Sequence, residues 1–169
     1  GMVELDALLR VVYGGLEGID RVCEREDVDI VLLATPPGFR PYHIQKAVAA
    51  GKHVFAEKPV CVDPAGYRIC CEAHDAAVKQ GTAIVTGTQY RRQDSFVEAI
   101  ARLHAGDLGR IVGMTARYCA GGIWYRQREP GMTDAEYQIR NWMHFIWMSG
   151  DQIVEQAVHN IDVMNWVME

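Results

Sequence analysis

The run Val28-Asp-Ile-Val-Leu-Leu-Ala-Thr35 is almost wholly apolar and ends at Pro36-Pro37. It is too short for a helix and rich in branched residues, which predicts a strand buried on both faces. Pro41 then opens a helical stretch whose apolar residues Ile44, Ala47 and Val48 fall at i, i+3 and i+4, and Gly51 closes it. Lys52–Ala56 predicts a second strand. Pro64–Lys79 predicts a helix with Asp63 as its N-cap and Gly81 as its stop, and Thr82–Thr86 a third strand. Upstream, Leu16–Arg25 reads as a helix entered through a turn at Gly14-Gly15. Three strands separated by helices of ordinary length make βαβ units, hence an α/β fold with a parallel sheet and helices on its faces.

The pattern changes near Tyr90–Asp94, where a domain transition is expected. A helix over Ser95–His104 leads through Gly106 and Gly109 into a longer strand, Ile111–Cys119, which Gly121-Gly122 breaks. Within the aromatic-rich stretch Trp124–Trp147 only Asp134–Arg140 reads as a helix. A last helix is predicted over Val154–Met168.

Composition narrows the class of protein. The 169 residues are 49% hydrophobic and 23% charged, enough apolar content to bury a core and to exclude disorder or a chain-wide coiled coil. With 17 basic and 22 acidic residues, the chain lacks the basic footprint of a nucleic-acid partner. No apolar run approaches the ~20 residues of a membrane span, so no membrane partner is expected. The cysteines (Cys23, Cys61, Cys70, Cys71 and Cys119) are odd in number and form no Cys-x-x-Cys pair. They read as reduced thiols in a cytoplasmic protein, and neither they nor the histidines show metal-ligand spacing. Gly1-Met2 reads as a cleavage scar followed by an initiator methionine.

Three groups of residues carry candidate chemistry. Glu57-Lys58-Pro59 stands just past the carboxyl end of the second strand, where ligands bind in open α/β sheets. A partly desolvated Lys58 there can exchange a proton with a substrate hydroxyl; an exposed turn lysine loosely paired with Glu57 is the plainer alternative. Glu155, His159 and Asp162 are spaced i, i+4 and i+7, one stripe of the last helix. Such a stripe can fix a histidine tautomer for proton transfer, or simply face solvent. Trp124-Tyr125-Arg126, with Arg140-Asn-Trp142 after it, offers aromatic faces and planar donors suited to a polyhydroxylated substrate. A Gly-x-Gly-x-x-Gly phosphate turn after a strand does not occur; Gly14, Gly15 and Gly18 have the wrong spacing for it.

Four strings occur together in order: Asp27-Val-Asp-Ile-Val-Leu-Leu-Ala-Thr-Pro-Pro37, Ala49-Ala-Gly-Lys-His-Val-Phe-Ala-Glu-Lys-Pro59, Gln89-Tyr-Arg-Arg92 and Glu155-Gln-Ala-Val-His-Asn-Ile-Asp162. In these the chain, from about Val11 to Met168, resembles the Gfo/Idh/MocA family of nicotinamide-dependent oxidoreductases. The resemblance implies a Rossmann cofactor domain followed by an α/β domain that carries substrate and builds oligomers. Here these would be a partial Rossmann domain over residues 1–90, lacking its first βα unit, and the start of the second domain over 91–169. It implies NAD or NADP as cofactor, along Thr35, Pro36, Arg40, Glu57 and Lys58, and a sugar or polyol as substrate. Lys58 would contact the reacting hydroxyl and His159 would be the acid/base, with Glu155 where the family often has aspartate. Arg91, Trp124, Tyr125, Arg126 and Asp162 are the expected substrate contacts. Family members are roughly twice this length, so the chain is expected to start inside one domain and stop inside the next. Without the phosphate loop, the isolated chain is expected to bind NAD(H) weakly or not at all, to lack turnover, and to self-associate as a homo-oligomer through a bare sheet edge. Two other readings remain: a non-catalytic assembly module of the same fold, and an NAD-dependent glycosidase-type relative.

Overall fold

The structure, a computed structural model, describes residues 12–169. The reading of Gly1-Met2 lies outside the described residues. Three short strands form the sheet: β1 (Ile30–Leu33), β2 (His53–Glu57) and β3 (Ile84–Gly87). They run parallel in the order β1-β2-β3, with Leu33 opposite Ala56 and Glu57 opposite Gly87. Parallel strands need crossovers. These are α2 (Arg40–Ala49), entered through a 3-10 turn at Pro37–Phe39, and α3 (Pro64–Gln80). A short α1 (Gly18–Cys23) precedes β1.

The local signals act as the sequence predicts. Asp63 Oδ1 accepts from Gly66 N at 2.6 Å and caps α3, while Gly81, at φ 74°, ends it in the left-handed conformation. Ile44, Ala47 and Val48 of α2 meet Val31, Leu33, Val54 and Ala56 of the sheet and Ala73 and Ala77 of α3 in one buried cluster. A Cβ on Gly66 would lie 2.8 Å from Pro41 Cγ, so glycine there lets α3 approach α2 closely.

One expectation is corrected. β1 is buried on a single face: Val31 and Leu33 are in the core, but Ile30 is 56% and Leu32 73% exposed. The strand is continuous in hydrophobicity because both faces suit burial; among the described residues, α2 and α3 pack together on one face only.

After β3 a 3-10 turn (Gln89–Arg92) leads into α4 (Asp94–His104). The strand expected at Ile111–Cys119 does not form, because no second strand lies alongside it among the described residues. A strand is defined by its ladder, and without a partner Val112, Met114 and Tyr118 stay exposed. α5 (Asp134–Arg140) forms as predicted, capped by Thr133 Oγ1 accepting from Glu136 N at 3.2 Å.

The predicted last helix is broken into α7 (Asp151–Glu155) and α8 (Val158–Met168), after a one-turn α6 (Ile146–Ser149). At the break Ala157 N donates to Gln152 O, five residues back, which takes the chain out of helical register. α6 docks on the 3-10 turn after β1: Met148 is fully buried, and a Cβ on Gly38 would lie 3.0 Å from Trp147 O and 3.1 Å from Met148 Cα. Residues far apart in sequence are thereby held against the carboxyl ends of the strands.

Candidate active site

All three strands of a parallel sheet end on the same side, so the turns after β1 and β2 converge. Arg40, 3% exposed, sits beneath them and donates to the carbonyls of Thr35 and Pro59. One guanidinium thus joins the two turns. Burial lowers its pKa, offset in part by the negative charge of Glu57 and Glu155. Among the described residues its Nε has no hydrogen-bond partner. Thr35 Oγ1 lies 3.1 Å from His43 Nδ1 at the exposed end of β1, with Pro36 half-buried beside it. Glu57 is exposed at the end of β2, and its carboxylate lies over Gly87, where a Cβ would come within 2.6 Å of Oε2.

Lys58 is the centre of the site. Its Nζ donates to the backbone carbonyl of Glu155 and, at 2.6 Å, to Glu155 Oε1. The side chains are 17% and 8% exposed, so the pair is largely desolvated. Gln156 Nε2 holds the other carboxylate oxygen at 2.8 Å. Lys58 also stands at the edge of a cleft of about 710 Å³ walled by Val60, Val62, Tyr67, Val154, Val158 and Ile161.

His159 is buried at the start of α8, beside Tyr90 (ring centroids 5.3 Å apart) and Tyr118 (6.4 Å). Its pKa is lowered, first by burial and then by the positive charge of Lys58; Glu155, Asp162 and Glu57 pull it back up. The same holds for His43, where burial leads and Arg40 adds to it. Both imidazoles therefore favour the neutral form in the fold and take up protons more readily once unfolded. The stability they contribute is complete above the unfolded value of about 6.5 and is lost as pH falls from there through the folded values. Urea denaturation midpoints should accordingly fall below pH 6.5. A His159→Gln/His43→Gln double variant should show a shallower decline; an equal slope would contradict the assignment.

The stripe Glu155–His159–Asp162 is not on one helix. The break at Gln156–Ala157 sends Glu155 to Lys58, while Asp162 of α8 faces Arg91, whose Nε lies 2.9 and 3.1 Å from its two carboxylate oxygens. Arg91 also reaches Glu169 Oε1 at 3.0 Å and packs over the Trp166 ring, clasping the 3-10 turn at Gln89–Arg92 to α8. Lys58 and Glu155 pair despite the broken helix, and the charges of both act on His159.

The aromatic stretch lies elsewhere. Trp124 Nε1 donates to Arg140 O, the Tyr125 hydroxyl meets that of Tyr137, and Arg126 N donates to Asn141 Oδ1 at 2.8 Å. These bonds run to α5 and the turn after it rather than to Lys58 or His159. Sequence reasoning passed over Asn141, which is 1% exposed and returns two donations to the carbonyls of Arg126 and Tyr137, and Tyr118, which touches His159. A buried amide between two aromatic runs was a signal for the first; nothing local marked the second. Among the described residues no cluster of three His, Cys, Asp or Glu could hold a metal, and no helix is long and apolar enough to cross a membrane.

Thr35 and Pro36 at the end of β1, and Glu57 and Lys58 at the end of β2, are the residues expected along the nicotinamide end of a dinucleotide, and they stand on this side of the sheet. The described residues offer no matching cradle for its pyrophosphate. Among the described residues the glycine turn before α1 follows no strand, and Glu17 at the helix entry would repel an anion.

Residues 10–88 match the family described as "Oxidoreductase family, NAD-binding Rossmann fold" (GFO_IDH_MocA). A 1-carboxy-3-chloro-3,4-dihydroxycyclohexa-1,5-diene dehydrogenase of Comamonas testosteroni is 26% identical over 153 residues, 90% of this chain and 34% of the relative. Inositol 2-dehydrogenase 4 of Saccharopolyspora erythraea is 29% identical over 162 residues, 91% of this chain and 41% of the relative. The chain therefore spans well under half the length of these curated relatives. In fold it is similar to the crystal structure of myo-inositol 2-dehydrogenase from Lactobacillus plantarum, with a TM-score of 0.66 and 20% identity over 92% of this chain and 41% of that one. A parallel three-stranded sheet with the candidate side chains at its strand ends, and the match over residues 10–88, make this part of the chain similar to the NAD-binding Rossmann fold of the Gfo/Idh/MocA oxidoreductases.

Proposed function

We propose that the chain is the catalytic-centre portion of an NAD(P)-dependent oxidoreductase acting on a hydroxyl or keto group of a sugar or polyol. The observation that supports it is the desolvated Lys58–Glu155 pair, closed at 2.6 Å beside the buried His159 at the strand ends. Lys58, an ammonium held by two acceptors, keeps a third proton for a substrate oxygen. Its donation would orient that oxygen and stabilise negative charge building on it. His159, held toward its neutral form, is ready to accept a proton from a hydroxyl, and the imidazolium so formed is the acid that would return it to an alkoxide in the reverse direction. Glu155 fixes the direction of Lys58 and so positions it. Arg40 acts beneath the turns rather than on a ligand, holding Thr35 and Lys58-Pro59 in register. A nicotinamide, when held along Thr35, Pro36, Glu57 and Lys58, would supply hydride exchange with the substrate carbon. Residues 1–90 would be the cofactor portion and residues 91–169 the start of the substrate portion. Arg91 and Asp162, engaged with each other, would shape the substrate pocket's wall.

The test is absorbance at 340 nm, following reduction of NAD or NADP by a panel of inositols and aldoses, on the protein encoded by the complete reading frame. Reduction that disappears in both Lys58→Ala and His159→Ala supports the reading. No reduction with any substrate, or reduction that survives Lys58→Ala, overturns it. The 169-residue chain alone is expected to show no micromolar NADH binding by fluorescence.

Self-association belongs to the same reading. Among the described residues β1 has no neighbour on its outer edge, and its exposed Ile30 and Leu32 add apolar surface. Light scattering should give at least a dimer, weakened by Leu32→Lys; a monomer at tens of micromolar would contradict it.

A further inference from the structure

The extended segment between α4 and α5 pairs with no strand among the described residues, yet it brings one aromatic ring onto the buried imidazole. Tyr118 stacks on His159 with ring centroids 6.4 Å apart and planes 16° from parallel. Tyr90, itself stacked on Phe96 at 4.5 Å, meets the same imidazole at 5.3 Å and 58°. His159 is 6% exposed, although Tyr118 is 42% exposed. The tyrosine thus stands between the imidazole and solvent, with its outer part in water. No hydrogen bond of the described residues engages its hydroxyl, so the ring, not the phenol, makes the contact.

We propose that Tyr118 is a positioning residue for His159: its ring closes the solvent side of the imidazole and, with Tyr90, fixes the plane in which the ring nitrogens lie. The proposal deepens the acid/base reading of His159 given above. Aromatic pairs at these separations favour offset stacked or edge geometries and resist rotation of the partner ring. An imidazole cut off from water is also held toward its neutral form. The other charges near it are Lys58, Glu155, Glu57 and Asp162, and Asp162 is engaged by Arg91. None of these is touched by a change at Tyr118.

The experiment titrates the histidine side chains of the 169-residue chain by NMR, in the parent, Tyr118→Phe and Tyr118→Ala, with His159 assigned by His159→Gln. Tyr118→Phe is expected to leave the His159 midpoint in place. Tyr118→Ala is expected to move it upward, toward the ordinary histidine value, and to broaden or shift its ring signals. The backbone amide of Val54, in mid-sheet, should keep its chemical shift in all three and report that the core is intact. An unchanged midpoint and unchanged ring signals in Tyr118→Ala overturn the proposal, as does an equal shift in Tyr118→Phe. Since the readout is a proton equilibrium in the resting chain, its failure is distinct from failure of the dehydrogenase reading, which the 340 nm assay decides.

Discussion

Replacing Lys58 by methionine is expected to lower the stability of the folded chain by about 3 kcal/mol in urea denaturation. The ammonium carries nearly all the compensation for a carboxylate that is 8% exposed. Methionine fills similar volume, so the cost comes from the charge left behind rather than from a cavity. Glu155 would keep only the 2.8 Å donation from Gln156. Glu155→Gln should cost less, about 1 kcal/mol, because its amide oxygen still accepts from Lys58 and the backbone carbonyl of residue 155 still holds the ammonium. The double variant Lys58→Met/Glu155→Gln should be more stable than Lys58→Met alone. Removing the second charge takes away the orphaned carboxylate, and the non-additivity measures the pair. Additive losses would mean that Glu155 is reached by water and that the pair is an ordinary surface contact.

That pair shows how far the sequence could be read. Position after a strand pointed to Lys58, and the matching strings pointed to Glu155 and His159. Helical spacing, however, supplied the wrong geometry for Glu155, His159 and Asp162. The i, i+4, i+7 stripe assumed an unbroken helix, and the Ala157–Gln152 hydrogen bond breaks it. Nothing in Gln156-Ala157 announces the break, since neither residue disfavours a helix; packing around Lys58 and His159 takes precedence over propensity there. The parallel sheet, α2, α3 and their caps were legible because βαβ units are built from local signals: an apolar run, a proline or aspartate at the entry, a glycine at the exit. Ile111–Cys119 was not, because strand status depends on a partner that local pattern does not contain. Tyr118 fell in that segment, and its contact with His159 crosses 41 positions of sequence that carry no periodic link between the two.

Arg40→Lys is expected to be more damaging than Arg40→Met, the reverse of what chemical similarity suggests. Arg40 spans two backbone carbonyls, at Thr35 and Pro59, from a position 3% exposed, and among the described residues no carboxylate forms an ion pair with it. Its charge is carried at contact by carbonyl dipoles, with Glu57 and Glu155 acting only at longer range, and burial already lowers its pKa. Methionine removes both donations but also removes the buried charge. The two orphaned carbonyls cost roughly 1–3 kcal/mol each, and relief of desolvation returns part of it, giving a net loss of about 2 kcal/mol. Lysine keeps the charge in the same dry position, while its single ammonium lacks the planar fork that reaches two carbonyls in different turns. A loss of about 3 kcal/mol is expected. The turns after β1 and β2 should also come apart in Arg40→Lys, so Thr35 and Lys58 amide exchange should quicken relative to that of Val54 in mid-sheet. If Arg40→Lys proves the milder change, the guanidinium is held by its charge and by water rather than by its fork. The register of the two turns must then come from α6 docking on Gly38.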